Sequence, residues 1–172
     1  MRDRAVRMFN DAQDRLHDAD ILARSLSAIS DSQALLRILA FEVLLKCALL
    51  VSGQEPKRTH KYADLWDSLP AAAQEEVLAV ASENMPDKNS LVHLDRVLNA
   101  YQFVFEKARY YYEFYEWKSL EEQREEGASW VAQGAPVEEA RVQYYPLELR
   151  GLIAGLVAYV EARLYSSYPG MR

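Results

Sequence analysis

The chain has 172 residues, half of them apolar and 27% charged, a size at which one globular domain buries about two-thirds of the surface its unfolded form would expose. The formal net charge of −6 excludes a generic nucleic-acid coat, which needs an overall basic surface, while leaving room for a local basic patch. Cys47 is the only cysteine, which excludes an intrachain disulfide and a cysteine-based metal site and makes a reducing cytoplasm the easiest setting.

The opening Met-Arg-Asp-Arg carries no apolar core of a signal peptide, so none is expected. A first helix is expected from about Asp3 to Ile29, because Val6, Phe9, Ala12, Leu16, Ala19, Ala23 and Leu26 recur at three- and four-residue steps. Asp11, Asp14 and Asp18 line another face near Arg7 and Arg15. They are read as a solvated face with Arg7–Asp11 and Asp11–Arg15 ion pairs in preference to a metal site. A second helix should open at Asp31 or Ser32, both good caps, and close at Ser52 with Gly53 as the stop. Its apolar residues cover nearly the whole circumference, which marks the central helix. Arg37, Glu42 and Lys46 interrupt the longest apolar stretch, Ala34 to Val51, so no membrane span is expected.

A turn around Pro56 should lead into a short helix with Tyr62, Leu65, Trp66 and Leu69 inward. Pro70 suits the first position of another short helix, running to about Ser82. After a loop over Asn84–Asn89, Ser90 should cap a long helix over Leu91–Trp117, with Leu94, Leu98, Tyr101, Phe105, Ala108, Tyr112 and Tyr115 on one stripe. The pattern dissolves over Lys118–Gln143, where Gly127, Gly134 and Pro136 break any long helix. An insertion at about 118–145 is expected to be partly helical and mostly exposed, with Trp130 and Val131 tucked back. Pro146 opens a last helix with Leu149, Leu152, Ile153, Leu156, Val160 and Leu164 inward, and Pro169-Gly170 ends it. Strand signals are missing, so the reading is all-α: residues 1–172 as a single domain, an up-and-down bundle of four to five main helices plus short ones.

Phosphate-cradling glycine loops and the HExxH metal motif do not occur, and His17, His60 and His93 are too scattered to share a metal; no cofactor is expected. Gly151 and Gly155 form a GxxxG, expected to permit close helix contact. Lys57-Arg58-Thr59-His60-Lys61 is a basic run able to grip phosphate, although exposed turns before helices are often basic for no further reason. His60 itself suits a cap or a packing residue as well as a general base. Tyr110, Tyr111, Tyr112 and Tyr115 have the faces to stack on bases, but such spacing also serves a core or a dimer interface. Glu42–Lys46 and Arg109–Glu113 are charge pairs of opposite sense on two apolar helices. They suggest a cross-helix polar network in which parallel helices set Glu42 against Arg109 and Lys46 against Glu113.

Phe41-Glu42-Val43-Leu44-Leu45-Lys46-Cys47-Ala48-Leu49-Leu50, then Gly53, Thr59-His60 and Asp64-Leu65-Trp66, followed by Phe105-Glu106-Lys107-Ala108-Arg109-Tyr110-Tyr111-Tyr112-Glu113, resemble a HEPN domain, the higher eukaryotes and prokaryotes nucleotide-binding family of helical bundles. The resemblance covers roughly residues 31–117. It implies a homodimeric module in a stress, phage-defence or toxin–antitoxin setting, with RNA, a nucleotide or a partner protein bound and a nucleotidyltransferase-type antitoxin as a cognate partner. Catalytic members are metal-independent ribonucleases carrying Arg, four to six residues, then His. Here the positions five to seven before the histidines are Ala12, Asp11 and Asn10; Glu55, Gln54 and Gly53; and Lys88, Asp87 and Pro86. None is Arg, and Phe114, Tyr115 and Glu116 stand where a histidine would follow Arg109. The expectation is a binding module without family-type cleavage, using Lys57, Arg58, His60, Lys61, Arg109 and Tyr110. The alternatives are a divergent ribonuclease built on Arg109, Glu113 and His60, and a structural homodimeric interaction protein.

Overall fold

The structure, a computed structural model, describes residues 1–25, 31–86 and 90–165. The side chains of Ser90, Ala108, Arg109, Tyr111 and Glu138 lie outside the described set, as do the expected ends of the first and last helices at Ile29 and Pro169-Gly170. The architecture is all-α, as expected, with no strand among the described residues. Seven α-helices follow one another there: α1 (Arg2–Ser25), α2 (Asp31–Val51), α3 (Tyr62–Asp67), α4 (Ala71–Glu83), α5 (Leu94–Glu106), α6 (Leu120–Ala132) and α7 (Pro146–Tyr165). No described helix is long and apolar enough to cross a membrane.

The central position of α2 follows from its side chains. Ile38, Phe41, Leu44, Leu45, Cys47, Ala48 and Leu49 are all buried, and they point to different sides of the helix. α1 packs on one side of it and α7 on another, while α3 and α5 close over a third. α1 brings small residues to this contact, Ala5, Ala12 and Ala19, which are buried with Phe9 and let the two backbones approach. The Cys47 thiol donates to the Ala5 carbonyl at 3.3 Å, and burial pushes it up to about 11. Arg37 ties α2 to Asp20 of α1 at 2.6 Å. At the far end, Gly53 at φ +82° closes α2, with Gly53 N–H donating to Leu50 O and Gln54 N–H to Leu49 O at 3.1 and 2.9 Å. That pair of bonds is the Schellman stop, and a Cβ would disfavour its left-handed residue.

α4 and α7 pack against each other more closely than side chains would allow, because Gly151 and Gly155 face α4. A Cβ on Gly155 would collide with the Val77 carbonyl oxygen, and one on Gly151 would lie 3.0 Å from that of Ala81. The two glycines step down α7 as Val77 and Ala81 step up α4, so the helices run antiparallel. Arg163 clamps this pair with both nitrogens on Glu76, at 3.1 and 2.8 Å, and that bond holds the Glu76 carboxyl below its ordinary range.

Two expectations fail here. The helix expected over Leu91–Trp117 is a 3-10 turn (Ser90–His93), then α5, then a 3-10 stretch over Ala108–Tyr115 with Tyr110 at a non-helical φ −114°, ψ 47°. α5 buries Val97, Leu98, Tyr101 and Val104. Beyond Glu106, Tyr112 is exposed, so poor helix formers there lack the packing that would override their propensity. The second is the break expected at Gly127, within an insertion that is partly helical and mostly exposed. α6 runs straight through Gly127, opened by a capping box in which Ser119 and Glu122 exchange bonds at 3.2 and 2.7 Å. A cap and exposed acidic first-turn residues offset the glycine's cost of about 1 kcal/mol. α6 buries no residue: Trp130 is half-buried, its indole N–H donating to Pro136 O at 3.0 Å, but Val131 is 63% exposed. The chain regains the core at Val142, Tyr144 and Tyr145, where the Tyr101 hydroxyl donates to Tyr145 O at 2.8 Å.

Candidate functional site

Glu42 is the one buried charged residue among those described, 6% exposed in the middle of α2. A carboxylate there needs partners, and two reach it. Lys46, one turn on, donates to Oε1 at 2.7 Å, and His60 approaches with Nδ1 at 2.9 Å from Oε2 and 3.1 Å from Oε1. A carboxylate only accepts, so Nδ1 carries the proton and Nε2 lies on the opposite edge of the ring. The His60 side chain is 55% exposed, and no described residue bonds Nε2. Phe105 of α5 backs the imidazole, ring centroids 4.8 Å apart.

Below this pair, Tyr62 is fully buried, edge-on to Phe41 at 5.9 Å. Burial first, then the Glu42 charge, raises its phenol far above the ordinary range, yet its hydroxyl meets no partner at hydrogen-bonding geometry. Such an orphan is costly in a core and sits here directly under the one polar cluster in it.

The turn that delivers His60 also delivers the basic run. Gly53 reverses the chain, Pro56 is buried, and Lys57 and Arg58 stand exposed. Thr59 Oγ1 accepts from Lys61 N–H at 3.1 Å, fixing the backbone on either side of His60. Lys61, not His60, occupies the cap position of α3, without a side-chain cap bond. Lys57, Arg58 and Lys61 form no ion pair among the described residues, whereas Arg4, Arg37, Arg141 and Arg163 each hold a carboxylate.

The structure thus brings Glu42, Lys46 and His60 together with Lys57, Arg58 and Lys61 on the same turn. It leaves the other expected residues apart. Glu113 is exposed on the 3-10 stretch and forms no ion pair among the described residues; Lys46 pairs within its own helix instead. The break after Glu106 is the physical reason, since it takes the second charge pair off the helix that packs on α2. The Arg109 side chain, and with it the expected Glu42–Arg109 contact, lies outside the described residues. Tyr110 is partly exposed on the same stretch, and Tyr115 lies under the Arg141 guanidinium, 5.0 Å from its centroid. The Asp11 row holds one of its two expected pairs, Arg15–Asp11, and the described residues contain no group of three or more His, Cys, Asp or Glu able to hold a metal. Sequence reasoning missed two contributors. Tyr62 and Phe105 read as packing residues, which they are, and nothing local marks them as the floor and wall of a polar site.

In comparisons with known proteins, no family model, no curated protein and no solved structure matches this chain.

Proposed function

We propose that the chain is a HEPN-like helical module that binds RNA or a nucleotide through the turn between α2 and α3, in a cytoplasmic stress, defence or toxin–antitoxin setting, without the family's cleavage chemistry. The observation that carries this reading is the trio Lys57, Arg58 and Lys61: exposed, on one rigid turn, with no carboxylate among the described residues neutralising them. Three such cations on an otherwise acidic protein form a local anion site, and the exposed imidazole on the same turn adds a directional group.

Salt dependence tests it. Single-stranded RNA should bind with an affinity that falls as salt rises, by about 0.7 log unit per log unit of salt for each phosphate contacted. Lys57→Ala with Arg58→Ala should flatten that slope by roughly 1.4, two contacts' worth, and leave the circular dichroism spectrum unchanged. Salt-insensitive or absent binding would instead favour a purely structural interaction protein.

A second reading, a divergent ribonuclease, is favoured by the Glu42–His60 pair, since a buried carboxylate orienting an exposed imidazole is also how a general base is held. Cleavage of total RNA that is lost in His60→Ala or Arg109→Ala would establish it over the first.

We also infer that the module pairs with a second copy of itself. α7 supplies little of the exposed apolar surface, because nine of its residues are buried in the bundle. The exposed apolar side chains include Phe103, Tyr112, Trp117, Leu120 and Val131, with Leu147 and Tyr165 on α7. An apolar surface of that kind favours an isologous pair, or a nucleotidyltransferase-type partner in its place. Light scattering at micromolar concentration should give twice the mass of one chain; the mass of one chain would count decisively against the homodimer.

A further inference from the structure

We infer that His60 is a hydrogen-bond acceptor which reads a ribose 2′-hydroxyl, so that the α2–α3 turn prefers ribonucleotide chains to deoxyribonucleotide ones. The inference rests on the nucleic-acid reading above and names the chemistry that site selects.

The cations of the turn recognise phosphate, and phosphate oxygens offer acceptors only. Nε2 of His60 is different. With the Nδ1 proton held between the two Glu42 oxygens at 2.9 and 3.1 Å, the neutral ring presents a lone pair at Nε2. Phe105 fixes the ring plane, and Lys46 at 2.7 Å from the same carboxylate balances the Glu42 charge. An acceptor on the same turn as Lys57, Arg58 and Lys61 repels a phosphate that those residues bring to it, unless a donor lies beside that phosphate. On a nucleic-acid backbone the donor in that place is the 2′-hydroxyl, the group by which proteins distinguish RNA from DNA. Glu42 is then a positioning residue: it never meets the ligand, and it decides which ring nitrogen carries the proton.

The test compares three single-stranded 12-mers of one sequence, ribo-, deoxyribo- and 2′-O-methyl, by fluorescence anisotropy. It is run at pH 8. The ribo-oligomer should bind about five- to tenfold more tightly than the other two, the worth of one hydrogen bond. The 2′-O-methyl strand keeps an RNA-like sugar and lacks the donor, so equal binding of ribo- and 2′-O-methyl strands would mean that shape is read and overturn the inference. His60→Ala should abolish the ratio, lowering the ribo-oligomer to the affinity of the other two strands; Lys57→Ala should weaken all three strands alike. In wild-type protein, ¹⁵N NMR should show Nε2 of His60 unprotonated, with a mixed tautomer in Glu42→Gln. If Glu42→Gln does not fold, the His60→Ala ratio decides alone. Salt-dependent binding with no preference among the strands overturns the inference and spares the binding function; no binding of any strand overturns both.

Discussion

Gly155→Ala should lower stability by about 3 kcal/mol, the upper end of overpacking penalties, and the melting midpoint by roughly 6–12 °C for a chain of this size. In an open helix the same change would stabilise by about 1 kcal/mol. Here the added methyl meets the Val77 carbonyl oxygen, a backbone atom of α4 that cannot rotate away, so α4 and α7 must separate. Separation loosens the contact across buried Val77, Ala81, Leu152 and Leu156. The other helical glycines calibrate the claim. Gly151→Ala should cost less, since the nearest atom, Met85 Sδ at 2.9 Å, belongs to a flexible side chain and the nearest backbone atom, the Ala81 carbonyl oxygen, lies at 3.0 Å. Gly127→Ala in α6 meets nothing within 4 Å and should leave the midpoint unchanged or raise it. Urea or thermal unfolding of the three variants provides the measurement. A Gly155→Ala protein as stable as wild type would mean that the helices do not approach this closely.

Glu42→Ala should cost about 3 kcal/mol, the low end for breaking a buried pair. The loss leaves the Lys46 ammonium, 19% exposed, with no carboxylate at hand, and frees His60 from its orienting partner. The low end applies because His60 is more than half exposed and water replaces part of what it loses. Lys46→Met in the Glu42→Ala background should recover part of the stability by removing the stranded cation, the usual signature of a coupled pair. A strictly additive double mutant would show that the two residues do not interact. Glu42→Gln keeps the volume and one acceptor, so it should lie between wild type and Glu42→Ala. All three variants should lose sugar discrimination more than they lose salt-dependent affinity.

The helical nature of the chain and the ends of several helices were legible in the residues themselves. Gly53 stops α2 because its left-handed turn suits a residue without Cβ, Pro146 opens α7 because a first-turn residue needs no amide hydrogen, Pro70 stands one position earlier than expected as the cap of α4, and α2 is central because nearly all of its circumference is apolar. Each of these is a local rule acting over one or two turns. What the chain does at longer range had to be seen. Glu42 pairs with Lys46, four residues on, which spacing allows, and with His60, eighteen residues on, which only the reversal at Gly53 and the docking of α3 bring about. The opposite order of charges in Glu42–Lys46 and Arg109–Glu113 suggested a partner across helices. That pattern assumed a continuous helix, and α5 ends at Glu106. GxxxG likewise announced a close contact without naming α4. Periodicity records which face of a helix avoids water; which groups on that face meet is settled by how helices distant in sequence share one core.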